Sequence, residues 1–61
     1  MKIKYEDVYG ALVIISDTGL CFPPQVTMTE EGCTIHISLG RGQEQHFDFD
    51  NDDNLIKVRE D

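Results

Sequence analysis

The stretch VTMTEEGCTIHISLGRGQEQHFDF, running from Val26 to Phe49, decides the fold. Its apolar residues fall at every second position: Val26 and Met28, then Cys33, Ile35, Ile37 and Leu39, then Phe47 and Phe49. A period of two sends successive side chains to opposite faces of a strand, so each run reads as a strand with one apolar and one polar face. Gly32, Gly40 and Gly42 punctuate the runs where hairpins need turn residues. A fourth run, Asn54 to Arg59, fits the alternation less cleanly and completes an antiparallel meander.

Parity constrains the register, because a slip of one residue would move every apolar side chain to the wrong face. A two-residue turn at Glu31-Gly32 pairs Met28 with Ile35 and Val26 with Ile37. A three-residue loop Gly40-Arg41-Gly42, with Gly42 in the left-handed bulge position, pairs Ile35 with Phe47. The acidic turn Asn51 to Asn54 then sets Phe49 opposite Ile56, Phe47 opposite Val58, and Asp48 opposite Lys57 on the polar side.

Upstream of Pro23-Pro24 the pattern changes. Tyr5, Val8, Leu12 and Ile15 recur at helical spacing with Ala11 on the same side, Glu6 and Asp7 suit a first turn, and Gly19 suits a C-terminal cap. These favour a helix from Tyr5 to Thr18. Interior Gly10 and the β-branched run Val13-Ile14-Ile15 speak for a rival, a buried strand from Ala11 to Ser16. The expected fold class is α+β, one N-terminal helix packed on a three- to four-stranded antiparallel meander, with an all-β small sheet or barrel as the alternative. The expected core is Val8, Leu12, Ile15, Met28, Ile35, Ile37, Leu39, Phe47, Phe49, Ile56 and Val58, with Val26 and Leu20 at its edge.

Residues 1–61 form one small domain, and a chain of this size buries only about 60% of the surface it exposes when unfolded. Two cysteines, Cys21 and Cys33, are too few for a disulfide framework, and the N-terminus does not read as a signal peptide. A reduced, cytoplasmic protein is expected. The longest purely apolar run, Ala11 to Ile15, falls far short of the roughly 20 residues of a membrane span. Twelve Asp and Glu against five Lys and Arg give a formal net charge of -7, which repels phosphate backbones and anionic lipids. Direct nucleic-acid binding and membrane association are therefore not expected. A basic protein surface is the complementary partner.

The same register sets His36 across from His46 on the polar face, with Thr27 beyond one and Arg59 beyond the other. With Glu44 or Asp48 the pair offers two imidazoles and a carboxylate for Zn2+ or a similar cation, against the plainer reading of two solvated side chains. Asp48 to Asn54 begins like a calcium loop but places Asp53 where glycine is required and Arg59 where the bidentate glutamate is required. A polar turn that caps its own backbone accounts for it better. Cys33 points into the core while His36 points out, and Ser38, His36 and Glu44 lack an oxyanion hole or pocket, so catalysis is not expected. No cofactor motif is present in the chain. Glu44, Asp48, Asp50, Asp52 and Asp53 instead form an acidic ridge, and Tyr9 and Val13 lie on the outer side of the proposed helix. Charge beside exposed apolar groups is what a protein interface uses, and the sheet edges additionally admit strand addition or a homodimer.

Gly19, Pro23, Pro24, Val26, Thr29, Gly32 and Ile35 carry a layout of helix, Pro-Pro-x-Val segment, Thr-x-x-x-Gly hairpin and two further strands, from about Tyr9 to Val58. This layout resembles a loosely defined group of small bacterial α+β proteins. The resemblance implies an α+β fold and a role beside toxin, antitoxin or mobile-element proteins, and it supplies no catalytic residues. The expected function is a non-catalytic acidic interaction module, such as an inhibitor, an antitoxin-like protein or an anti-defence accessory protein. The alternative is a small metal-binding or metal-responsive protein using His36 and His46.

Overall fold

A computed structural model describes residues 2–60. It shows α1 (Tyr5–Asp17) followed by β1 (Gln25–Thr29), β2 (Gly32–Gly40), β3 (Gln43–Asp50) and β4 (Leu55–Glu60). The strands form one antiparallel sheet in the order β1-β2-β3-β4. The arrangement is α+β with an open sheet; the strand over Ala11 to Ser16 and the closed barrel are both ruled out.

Residues 5–17 are helical because an apolar stripe at helical spacing has a sheet face to cover. That stripe is Tyr5, Val8, Tyr9 and Leu12. Leu12 is buried among Cys33, Ile35, Ile37 and Phe49, and the Tyr5 ring meets the edge of Phe49 with centroids 5.5 Å apart. The stripe is rotated from the expected one: Tyr9 turns inward against Tyr5 with ring centroids 5.7 Å apart, while Ala11 and Ile15 are exposed. The helix start has no side-chain cap. The Tyr5 backbone N–H instead donates to the Asp53 carbonyl at 2.8 Å, and Leu55 N–H donates to the Ile3 carbonyl at 2.8 Å, so the β3–β4 turn serves as the cap. At the other end Thr18 Oγ1 donates to the Ile15 carbonyl at 2.6 Å, and Gly19 takes the left-handed conformation, φ 86°.

The central register is as expected, with Ile35 opposite Phe47 and His36 opposite His46. The β2–β3 loop is shorter than expected: Gly40 pairs with Gln43, the turn is the two left-handed residues Arg41, φ 58°, and Gly42, φ 77°, and the bulge lies between Ser38 and Gly40 rather than at Gly42. The first hairpin differs. Its turn is Glu30-Glu31, so Val26 faces Ile35 and Met28 faces Cys33, a shift of two that preserves parity. In the third hairpin a bulge sets Phe49 opposite Leu55 rather than Ile56, while Phe47 still faces Val58 and Asp48 still faces Lys57.

The core is smaller than the alternation suggests. Ile35 and Phe49 are 0% and 1% exposed, yet Met28 is 77% exposed, and Ile15, Leu20, Val26, Leu39, Ile56 and Val58 are also exposed. Four strands about 4.8 Å apart make a sheet wider than one helix of about 10 Å diameter can shield. Cover is thus fullest over the middle of β2 and β3, while Leu39 near the end of β2 and the apolar side chains of the outer strands stay exposed.

Two glycines test this packing. A Cβ on Gly32 would lie 2.2 Å from the Phe49 carbonyl oxygen and 2.6 Å from Asp50 backbone atoms. Because these obstacles are backbone, Gly32→Ala is expected to lower stability by about 3 kcal/mol. Gly10, inside α1, has nothing within 4 Å of the corresponding position, so Gly10→Ala is expected to raise stability by about 1 kcal/mol. Urea denaturation followed by circular dichroism measures both, and opposite signs are the expected result.

Candidate functional site

The face of the sheet away from α1 carries the even-numbered residues of β2 and β3, and parity gathers its polar side chains there. Thr34 on β2 and Asp48 on β3 are register partners, and Thr34 Oγ1 donates to Asp48 Oδ1 at 2.7 Å. Arg59 on β4 clamps the same carboxylate, Nε to Oδ2 and Nη2 to Oδ1 both at 2.8 Å. The Arg59 and Thr34 hydrogen bonds hold the Asp48 carboxyl below its ordinary range, more than offsetting partial burial. Asp48 therefore pairs diagonally with Arg59, although Lys57 stands directly across from it.

Two residues further along the strands, His36 and His46 stack edge to face at 87°, with ring centroids 4.7 Å apart and Nδ1 atoms 2.6 Å apart. The contact requires one Nδ1 to carry the proton and the other to accept it. His36 Nε2 lies 2.9 Å from Thr27 Oγ1, and His46 Nε2 lies 3.6 Å from Glu44 Oε1. Both rings are on the polar face as the register demands. His46 is nevertheless only 8% exposed, because it sits on an inner strand with β2 and β4 side chains on both sides. The reading of two solvated histidines is corrected on that point.

A three-ligand zinc set is not assembled. Glu44 approaches the far nitrogen of His46, and Asp48 is committed to Thr34 and Arg59. Among the described residues, no group of three or more His, Cys, Asp and Glu gathers to hold a metal.

The acidic ridge divides. Glu44 lies near the β2–β3 loop as the partner of Ser38, Asp48 is neutralised at mid-sheet, and Asp50 lies at the far end of β3. Asp50 accepts from the Asp52 and Asn54 backbone N–H groups, both at 2.9 Å, so it caps its own turn. The Asn54 backbone contact is the main cause that holds its carboxyl below the ordinary range. Asp53 is left-handed, φ 66°, with its carbonyl on Tyr5. Tyr9 packs against the core and drops out of any docking surface, whereas Val13 is exposed.

Four acidic residues missing from the expected ridge join its end. The β1–β2 turn carries Glu30 and Glu31, and the next residue, Gly32, pairs with Asp50. The Tyr5–Asp53 hydrogen bond brings the first turn of α1, with Glu6 and Asp7, to the same end. Glu6, Asp7, Glu30, Glu31, Asp50, Asp52 and Asp53 thus share one pole of the molecule, with Lys4 Nζ donating to the Asp52 carbonyl at 3.1 Å. Only the fold reveals this grouping, since these residues are far apart in sequence.

The cysteines are free thiols, and burial pushes Cys33 above its ordinary value, which keeps it protonated and unreactive. Among the described residues no helix is long and apolar enough to cross a membrane. Comparison with protein-family models, curated proteins and solved structures finds no match for the chain.

A carboxyl group whose folded pKa is depressed adds stability above its unfolded value near 3.8, and this stability is lost as pH falls through the folded value. Asp48→Asn is expected to cost about 1–2 kcal/mol at pH 7, allowing for the partial exposure of Arg59. The same substitution should flatten the acid limb of the stability curve below about pH 4. Denaturant midpoints collected from pH 2 to pH 7 on both proteins provide the check.

Proposed function

We propose that this chain is a non-catalytic interaction module that docks its acidic pole on a basic protein surface. The observation that carries this reading is the meeting of two turns and a helix start at one end, which concentrates seven of the chain's acidic residues there. Such concentrated charge steers association over a distance of about one Debye length, roughly 8 Å at physiological salt. Glu6 and Asp7 at the start of α1 also suit the helix dipole. The surface depressions at this end, such as that lined by Lys4, Tyr5, Glu6, Asp52 and Asp53, are open, which suits a protein contact better than an enclosed substrate.

An acidic end of this kind can stand in for a nucleic-acid backbone on a basic protein. The roles that fit are inhibitor, antitoxin-like protein or anti-defence accessory protein of a mobile element. Val13 and the exposed Ile14 on the outer face of α1 supply apolar contacts that lengthen residence once charge has brought the partners together.

Affinity capture from a bacterial lysate, read by mass spectrometry, tests the reading. Partners should be retained at low salt, released at high salt, and lost when the pole is reversed by Glu30→Lys, Glu31→Lys and Asp52→Lys together. Asp17→Lys with Glu60→Lys, away from the pole, should leave capture intact. A partner that survives both high salt and pole reversal would overturn the proposal.

A further inference from the structure

Docking through the acidic pole makes no use of the histidine pair on the polar sheet face. His36 and His46 are register partners, and their Nδ1 atoms converge at 2.6 Å while each Nε2 is directed at an oxygen. The oxygens are Thr27 Oγ1 at 2.9 Å and Glu44 Oε1 at 3.6 Å. Ligating histidines are usually oriented by a hydrogen bond to the ring nitrogen that faces away from the metal, as Thr27 orients His36, and the Glu44 carboxylate stands within ion-pair range of His46. We propose that His36 and His46 form a two-histidine chelate, through both Nδ1 atoms, for a divalent transition-metal cation with binding positions at right angles, Ni2+ or Cu2+.

Distance selects the class of ion. Two nitrogens each about 2.0 Å from one ion stand about 2.8 Å apart at a right angle and about 3.3 Å apart at the tetrahedral angle. The first lies closer to the observed 2.6 Å, so a tetragonal or octahedral ion demands less opening than tetrahedral Zn2+. Each ring turns about its Cβ–Cγ bond until the two lone pairs meet. The Thr27 hydroxyl and the flexible, half-exposed Glu44 side chain can follow that turn.

The proton inventory closes without an added acid or base. In the neutral pair one ring carries its proton on Nδ1; as the ion takes both Nδ1 lone pairs, that proton relocates to Nε2 of the same ring. Thr27 Oγ1 or the Glu44 carboxylate accepts the resulting N–H. Among the described residues, the charged groups on this face besides Glu44 include Asp48, Asp50, Lys57 and Arg59, and the Asp48–Arg59 ion pair offsets much of the Arg59 charge. A depression whose lining includes Phe22, Pro24, Gln25, Ser38 and Glu44 opens beside His36, the side from which water ligands would complete the coordination. This assignment is independent of the docking function.

Ni2+ is the probe, because the Cys21 thiol would reduce Cu2+. Calorimetric titration of the reduced full chain should give saturable binding at one ion per chain, tighter for Ni2+ than for Zn2+. His36→Gln and His46→Gln should each weaken it by about tenfold or more, and Cys21→Ser should leave it unchanged. Should His46→Gln fail to fold, nitrogen-15 spectra of the wild-type rings decide: paramagnetic Ni2+ should broaden the His36 and His46 ring signals before any others. Absence of saturable binding, Ni2+ binding untouched by both histidine substitutions, or tighter binding of Zn2+ would overturn the assignment.

Discussion

The structure depends on one packing contact, the seating of Leu12 and Tyr5 of α1 against Cys33, Ile35, Ile37 and Phe49 on the inner strands. This seam contains every fully buried large side chain of the described residues, Ile35 and Phe49. A fully buried side chain of this size stabilises by about 1.5–3 kcal/mol relative to leaving it exposed, so a few of them weigh heavily in a marginally stable chain. The helix could not hold this position by its own propensity, since 13 residues including Gly10 are marginal in water. It is fixed by the sheet it covers and by the β3–β4 turn that caps it through Asp53.

The opposite face follows from the same seam by parity. Once odd-numbered Cys33, Ile35, Ile37, Phe47 and Phe49 face the helix, even-numbered Thr34, His36, His46 and Asp48 must face away. Their polar groups find partners in one another, through Thr34, Asp48 and Arg59 on one side and Thr27, His36, His46 and Glu44 on the other. Side chains at the centre of such a face can be covered almost as well as those under the helix. His46 shows it, and so does Thr34, which is 4% exposed.

Much of this was legible in the sequence. The period-two runs marked β2 and β3, the register of Ile35 with Phe47 placed the two histidines together, and the spacing of Tyr5, Val8 and Leu12 marked α1. The first hairpin was misplaced because glycine is asked for by two different constraints. Gly32 reads as a turn residue, yet it is a strand residue whose missing side chain admits the backbone of Phe49 and Asp50. A shift of two also leaves the parity of every residue unchanged, so alternation could not expose the error. Exposure of Met28 and Val58 was hidden for a related reason: alternation tells which face a side chain takes, and the width of the covering helix tells whether that face is dry, whereas Ile56 lost its core place to Leu55 at the bulge. The acidic pole was invisible for want of topology, as Glu6, Glu30 and Asp53 meet only when the meander and the helix are both in place.

The two edges of the open sheet show what the acidic excess does for the molecule as a whole. Exposed strand edges invite pairing with other chains, and charges or bulges along them are the usual guard. The β4 edge has both, with Lys57, Arg59 and Glu60 along it and a bulge opposite Phe49. The β1 edge, Gln25–Thr29, has neither, and all five of its residues are exposed. Its protection lies at the ends, where Pro23 and Pro24 cannot donate to a further strand and Glu30 and Glu31 stand at the turn. A net charge of -7 adds repulsion between copies before their edges can meet. The charge that holds like molecules apart is also the charge that favours a basic one, so an unguarded edge and an acidic pole are compatible features of a single small protein.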